Sequence, residues 1–128
     1  MITDHEIVQA VFALKAQYPQ LCVDALCYDG PPPYRDGVEQ IVADALRNRN
    51  QVQPCIDWIG RRKRAQTFCR QYDTYSYKHA VEYEVGFWVS HMSFLVAVQV
   101  TGVVMEADPD RLWAGSLKIS PAGIKYWG

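Results

Sequence analysis

Residues 92–100 contain two polar side chains, Ser93 and Gln99, among Met, Phe, Leu, Val and Ala. Ser90 precedes them with the hydroxyl of a helix N-cap. Gly102 follows as the residue type that ends helices in the left-handed conformation. A helix over 91–101 that is apolar nearly all round offers no face to water, so it belongs at the centre of a core with other elements on every side. The apolar stretch 94–104 is broken by Gln99, Thr101 and Gly102 and is too short to span a bilayer. At 128 residues, one domain (1–128) is large enough to surround such a helix without disulfide staples.

The elements available to surround it are helical. Thr3-Asp4-His5-Glu6 is a capping box that opens a helix with the stripe Ile7, Val11, Leu14 and Tyr18, stopped by Pro19. Asp36-Gly37-Val38-Glu39 repeats that start, and Val38, Ile41, Val42, Ala45 and Leu46 fall on one face. A third helix starts near Pro54 and runs into a basic cluster, weakened at Gly60. A fourth runs from about Ser76 to Gly86. Residues 103–105 and 117–119 read as strands on either side of the turn Asp108-Pro109-Asp110. The predicted fold is therefore mainly α, with four to five helices and a small C-terminal β-hairpin. The run Tyr28-Asp29-Gly30-Pro31-Pro32-Pro33-Tyr34-Arg35 holds three prolines near polyproline II geometry. It predicts a stiff loop whose tyrosines either form a contact patch or fold onto the body.

Charge along the chain is uneven. The net charge of −1 conceals a band of Arg61, Arg62, Lys63, Arg64 and Arg70 with no acid between Asp57 and Asp73. The segment 61–80 carries +5, the segment before it −4 and the segment after it −2. An acidic body with one basic band suits steered association with an anionic surface. Tyr72 and Tyr75, read as loop residues beside the band, offer faces for stacking on bases or nucleotides. The pair of helices from Ser76 to Thr101 invites comparison with a helix-turn-helix. Its second helix, however, has few groups able to read base edges and looks like a core helix.

Reaction chemistry is sparse. His79 and Glu82 lie one helical turn apart, where they can share a proton or a metal, but two ligands are too few for a complete site. No G-x-S-x-G elbow or glycine-rich phosphate loop occurs. Cys22, Cys27, Cys55 and Cys69 include no C-x-x-C pair and read as reduced thiols rather than zinc ligands. Neither cofactor nor metal is implied, and the chain reads as a non-enzyme. The start Met1-Ile2-Thr3-Asp4 lacks the order of a signal peptide and predicts a cytoplasmic protein without a membrane partner.

Tyr75-Ser76-Tyr77-Lys78-His79-Ala80-Val81-Glu82, then Phe87-Trp88-Val89-Ser90-His91-Met92-Ser93-Phe94 and Gly102, resembles a pattern in small uncharacterised proteins of proteobacterial phages, plasmids and integrated elements. The likeness covers about residues 61–105. His91-Met92 stand where the pattern has asparagine-glycine, and Trp88 where it has tyrosine. The resemblance implies a mobile element in a bacterial cytosol. Small proteins from that source are often inhibitors of host defence, including anti-CRISPR proteins, that occupy a partner's surface. The expected function is a non-enzymatic binding protein that blocks a host nucleic-acid-handling complex. Its expected contacts are Arg61, Arg62, Lys63, Arg64, Arg70, Tyr72 and Tyr75, with Tyr28, Tyr34 and Arg35 in the proline loop. The alternatives are direct nucleic-acid binding by the basic band, and an enzyme or metal site on His79 and Glu82.

Overall fold

The computed structural model describes residues 1–23, 36–107 and 114–125. The sequence readings for the 28–35 loop with Tyr28, Tyr34 and Arg35 and for the 108–110 turn lie outside those residues. Five α-helices and a three-stranded antiparallel sheet make up the described fold.

Helix α1 (Asp4–Gln17) begins with the expected capping box. Thr3 Oγ1 accepts from the Glu6 N–H at 3.2 Å, and Glu6 Oε1 accepts from the Thr3 N–H at 3.1 Å. Helix α2 (Val38–Arg47) starts one residue later than its sequence signal suggests. Gly37 is the N-cap, and Gln40 Oε1, not Glu39, accepts from its N–H at 2.9 Å. Asp36 is used elsewhere: its Oδ2 accepts from the Val23 N–H at 2.9 Å, tying together the two ends of the segment between α1 and α2. A 3-10 turn, Arg49–Gln51, leads into α3 (Val52–Gly60). Pro54 sits in its first turn, where a missing N–H breaks no helical bond.

The largest difference from the sequence reading comes next. The basic run does not continue a helix; α3 ends at Gly60, and Arg64–Cys69 form strand β1. Strands β2 (Met105–Ala107) and β3 (Gly115–Ile119) are the expected antiparallel pair, and β1 adds to the far side of β3, giving the order β1-β3-β2. Pairing of β1 with β3 is irregular, with partners Arg64 to Ile119 and Cys69 to Leu117 and a register shift between them. That irregularity hid the strand, because its burial does not alternate. The charged residues at its start suit an edge strand, which must discourage further pairing.

Helix α4 (Thr74–Val85) begins two residues ahead of the sequence reading, because Asp73 is its cap and accepts from the Ser76 N–H at 2.8 Å. Tyr75 is therefore a first-turn helix residue rather than a loop residue. Gly86, at φ 79°, ends α4, and Ser90 opens α5 (His91–Thr101), which Gly102 ends at φ 73°.

Every residue of α5 from His91 to Val98 is buried. The helix carries two stripes, each with spacing i, i+3, i+4. Met92, Leu95 and Val96 pack with Ile7, Val11 and Leu14 of α1 and Ile41 and Ala45 of α2. Phe94, Ala97 and Val98 pack with Trp58 and Ile59 of α3, Tyr77, Ala80 and Val81 of α4, and Leu117 and Ile119 of β3. Two half-cores thus share one central helix, which is why its sequence shows no polar face.

No neighbouring atom lies within 4 Å of a Cβ added at Gly102, so a substitution there tests backbone conformation alone. Gly102→Ala is expected to lower stability by about 1–2 kcal/mol in urea unfolding, with an unchanged denaturant slope, because the left-handed conformation penalises any Cβ.

Candidate functional site

Folding pairs two of the five cations in the basic band with the chain's own carboxylates. Arg61 pairs with Glu84 of α4, and Arg70 with Glu106 of β2. Arg64 Nη2 donates to the Thr101 carbonyl at 3.1 Å, at the negative end of α5. The guanidinium of Arg62 lies 4.8 Å from the centre of the buried Trp58 ring, one turn earlier in the chain. Lys63 is exposed at the entry to β1. Tyr72 is half-buried against the core, 6.0 Å from Tyr77, and its hydroxyl accepts from Gln71. The structure therefore spreads these residues over a helix end, an edge strand and a core margin. Helix α5, buried from His91 to Val98, is not available to enter a nucleic-acid groove.

Chemistry concentrates instead on the outer side of α4. Glu82 is a hub whose side chain is only 12% exposed. Its Oε1 lies 2.6 Å from His79 Nδ1, while its Oε2 accepts from Lys78 Nζ at 3.2 Å and from the Val89 N–H at 3.0 Å. Burial alone would push this carboxyl up. The Val89 amide, the Lys78 ammonium and the His79 contact together hold it below the ordinary glutamate range. Lys78 is buried as well, with its ammonium 5.1 Å from the Tyr75 ring centre and 5.9 Å from that of Trp88. Tyr75 also meets His79 edge to face at 4.6 Å.

The Val89 bond fixes the shape of the surface above. Gly86 ends α4 and Ser90 begins α5, leaving three residues, 87–89, to turn the chain. Val89 is fully buried and its N–H is anchored on Glu82, so Phe87 and Trp88 are forced outward. Trp88 is 62% exposed, and Phe87, Tyr83 and Tyr75 are each close to half exposed. Tyr83, Phe87 and Trp88, with His79, Glu82 and Gly86, line an open depression of about 560 Å³. A patch of large exposed rings is the unusual observation here, more so than scattered single apolar residues.

Other polar groups nearby serve the fold. Gln51 Oε1 accepts from the Ser90 N–H at 2.7 Å and from Ser93 Oγ at 3.1 Å. Thr74 Oγ1 accepts from the Gly115 N–H at 2.9 Å and lies 2.8 Å from His91 Nε2, joining β3, α4 and α5. Cys55 is buried and free, and burial followed by the Glu82 charge pushes its thiol up, away from nucleophilic character. Among the described residues no three His, Cys, Asp or Glu side chains converge as metal ligands. No described helix is long and apolar enough to cross a membrane.

His79 and Glu82, paired on spacing alone, are brought together. Phe87 and Tyr83 were not selected from sequence, although two helix caps four residues apart with Phe-Trp between them signal a tight elbow that cannot bury both rings. No protein-family model, curated protein or solved structure matches this chain.

Glu82→Gln leaves the Lys78 ammonium buried beside a neutral amide, and is expected to cost about 3–5 kcal/mol in urea unfolding at pH 7. Lys78→Met added to it is expected to recover part of the loss, since a buried pair is replaceable by apolar packing. The pH dependence has a defined sign. A carboxyl held lower in the folded state than in the unfolded chain stabilises fully above its ordinary value near 4.5, and that stabilisation fades as pH falls through the folded value. Unfolding free energy is therefore expected to fall below pH ~4.5 in the wild type by more than in Glu82→Gln, measured by urea titration.

Proposed function

We propose that this is a non-catalytic binding protein that acts by occupying the surface of a protein partner, and that the elbow between α4 and α5 is the surface it uses. The observation that carries the reading is the group of exposed rings, Tyr75, Tyr83, Phe87 and Trp88, held over a buried ion pair. Rings mounted on a fixed backbone lose little conformational freedom on binding, and Trp and Tyr dominate interface energetics for that reason. With roughly 200 Å² per aromatic side chain, about half of it exposed, the four rings supply on the order of 400 Å². That is about half of the ~800 Å² per partner typical of a specific interface, before any rim is counted.

The resemblance to small proteins of mobile elements suggests what such binding accomplishes: inhibition of a host nucleic-acid-handling complex, in the manner of anti-CRISPR proteins. Direct nucleic-acid binding is the weaker reading, because Arg61 and Arg70 already meet the chain's own carboxylates. A catalytic or metal-binding reading has one observation in its favour, the 2.6 Å contact between His79 and Glu82. Stoichiometric metal in purified wild-type protein, lost in His79→Ala, would shift the assignment to it.

Affinity capture from a bacterial lysate, with and without nuclease, tests the main reading. A nuclease-resistant protein partner is expected. Phe87→Ala with Trp88→Ala should weaken its rebinding, measured with purified components, at least about 30-fold, as hot-spot rings do. Both residues are exposed, so helicity and the urea midpoint should stay close to wild type. Capture that depends on intact nucleic acid, or that survives the double substitution, would overturn the assignment.

A further inference from the structure

Resting on that reading of the elbow, we infer that its depression receives a cationic side chain, foremost an arginine, from a basic segment of the partner protein. The inference comes from the kind of groups that line the depression. Glu82 accepts three hydrogen bonds, one on Oε1 and two on Oε2. An ionised carboxylate offers about four lone-pair positions, so Oε1 keeps one further position for a donor. A carboxylate donates nothing, so the hydrogen between it and His79 resides on Nδ1. Tyr83, Phe87 and Trp88 add ring faces, whose quadrupoles present negative potential.

Lone pairs and π-faces thus dominate this wall, and that composition discriminates by charge. A carboxylate or phosphate entering it would meet the Glu82 oxygen and the negative faces of the rings. A guanidinium would donate to Oε1 while lying flat on an aromatic face, a combination its planar fork suits better than an ammonium does. The protein already uses the same chemistry inside: the Lys78 ammonium donates to Glu82 and lies near the rings of Tyr75 and Trp88. That cation cancels much of the Glu82 charge. Recognition therefore depends on the rings as much as on the carboxylate, and removing a ring should be felt strongly. The partner class fits as well, since surfaces that handle nucleic acid are rich in arginine and lysine.

The test uses the full chain and three short blocked peptides, glycine-X-glycine, with X as arginine, citrulline or glutamate. Citrulline keeps the shape of arginine and removes its charge. Binding is followed by NMR through the Trp88 indole N–H, assigned with Trp88→Phe. The arginine peptide should bind on the order of tenfold tighter than the citrulline peptide, and the glutamate peptide should not shift the indole. Trp88→Ala should weaken arginine binding about fivefold and narrow its advantage over citrulline, the binding being followed through the His79 ring. Equal binding of arginine and citrulline, an unmoved Trp88 indole, or arginine binding unchanged in Trp88→Ala would overturn the inference. So would sedimentation showing that a second copy of the chain covers the elbow at assay concentration. The elbow could instead engage its partner through apolar or acidic groups. In that case the double substitution at Phe87 and Trp88 would still abolish capture while arginine and citrulline bound alike, which separates this failure from that of the binding assignment.

Discussion

A helix with no polar face imposes the architecture of this protein. Helix α5 exposes almost nothing between His91 and Val98, so the chain must supply apolar cover on two sides. Helices α1 and α2 provide one side, and α3, α4 and strand β3 the other. Burying side chains of this size contributes about 1.5–3 kcal/mol each, which makes the double-sided sandwich the dominant stabilising feature and leaves surface ion pairs a small part. The exposed elbow is a by-product of the same arrangement. To enter the sandwich from α4, the chain must reverse within residues 87–89, and a reversal that short cannot bury every ring it carries.

What holds the reversal is an electrostatic device placed under it. Removing Lys78 and Glu82 from water is unfavourable in isolation, and their mutual attraction does not by itself guarantee a net gain. The Val89 amide and His79 add two hydrogen bonds to the one from Lys78, so burial of the carboxylate leaves no orphaned charge. The specificity of the arrangement matters more than its strength. An apolar contact would tolerate sliding of 87–89 along α4, whereas the bond from Val89 to Glu82 sets one position. Phe87 and Trp88 are therefore displayed on a backbone fixed from beneath.

Much of the fold was legible in the chain because helix caps and stripes are local. The capping box at Thr3, the glycine stops at Gly86 and Gly102, the Ser90 cap and the central place of α5 all follow from neighbours within four residues. Two of the misreadings share one cause, which is competition from a distant partner. Asp36 looks like a cap, but the Val23 amide takes its carboxylate; Arg64–Cys69 looks like the tail of a helix, but the edge of β3 pairs with it. Tyr75 was placed in a loop because Asp73, not Ser76, caps α4. At the candidate site, the His79–Glu82 contact was readable from its spacing. The display of Phe87 and Trp88 was not, because it depends on which of three consecutive bulky residues the core accepts, and Val89 is the one accepted.

The basic band shows how acids distant in sequence can answer part of a run of charge. Charge counted along 61–80 is +5, yet the acids that answer it, Glu84 and Glu106, stand outside that segment and meet it only in the fold. Both pairs are largely exposed and contribute at most about 1 kcal/mol, but their effect on potential does not depend on that energy. A paired guanidinium presents a dipole where a free one presents a charge, and a dipole's field falls faster with distance than a charge's, with screening over about 8 Å at physiological salt. The elbow has the opposite character, with ionic partners covered and polarisable rings outermost. Long-range charge is weak there, whereas desolvation on contact is strong. Such a surface selects by fit at short range, through which side chain can satisfy Oε1 and lie on a ring at once.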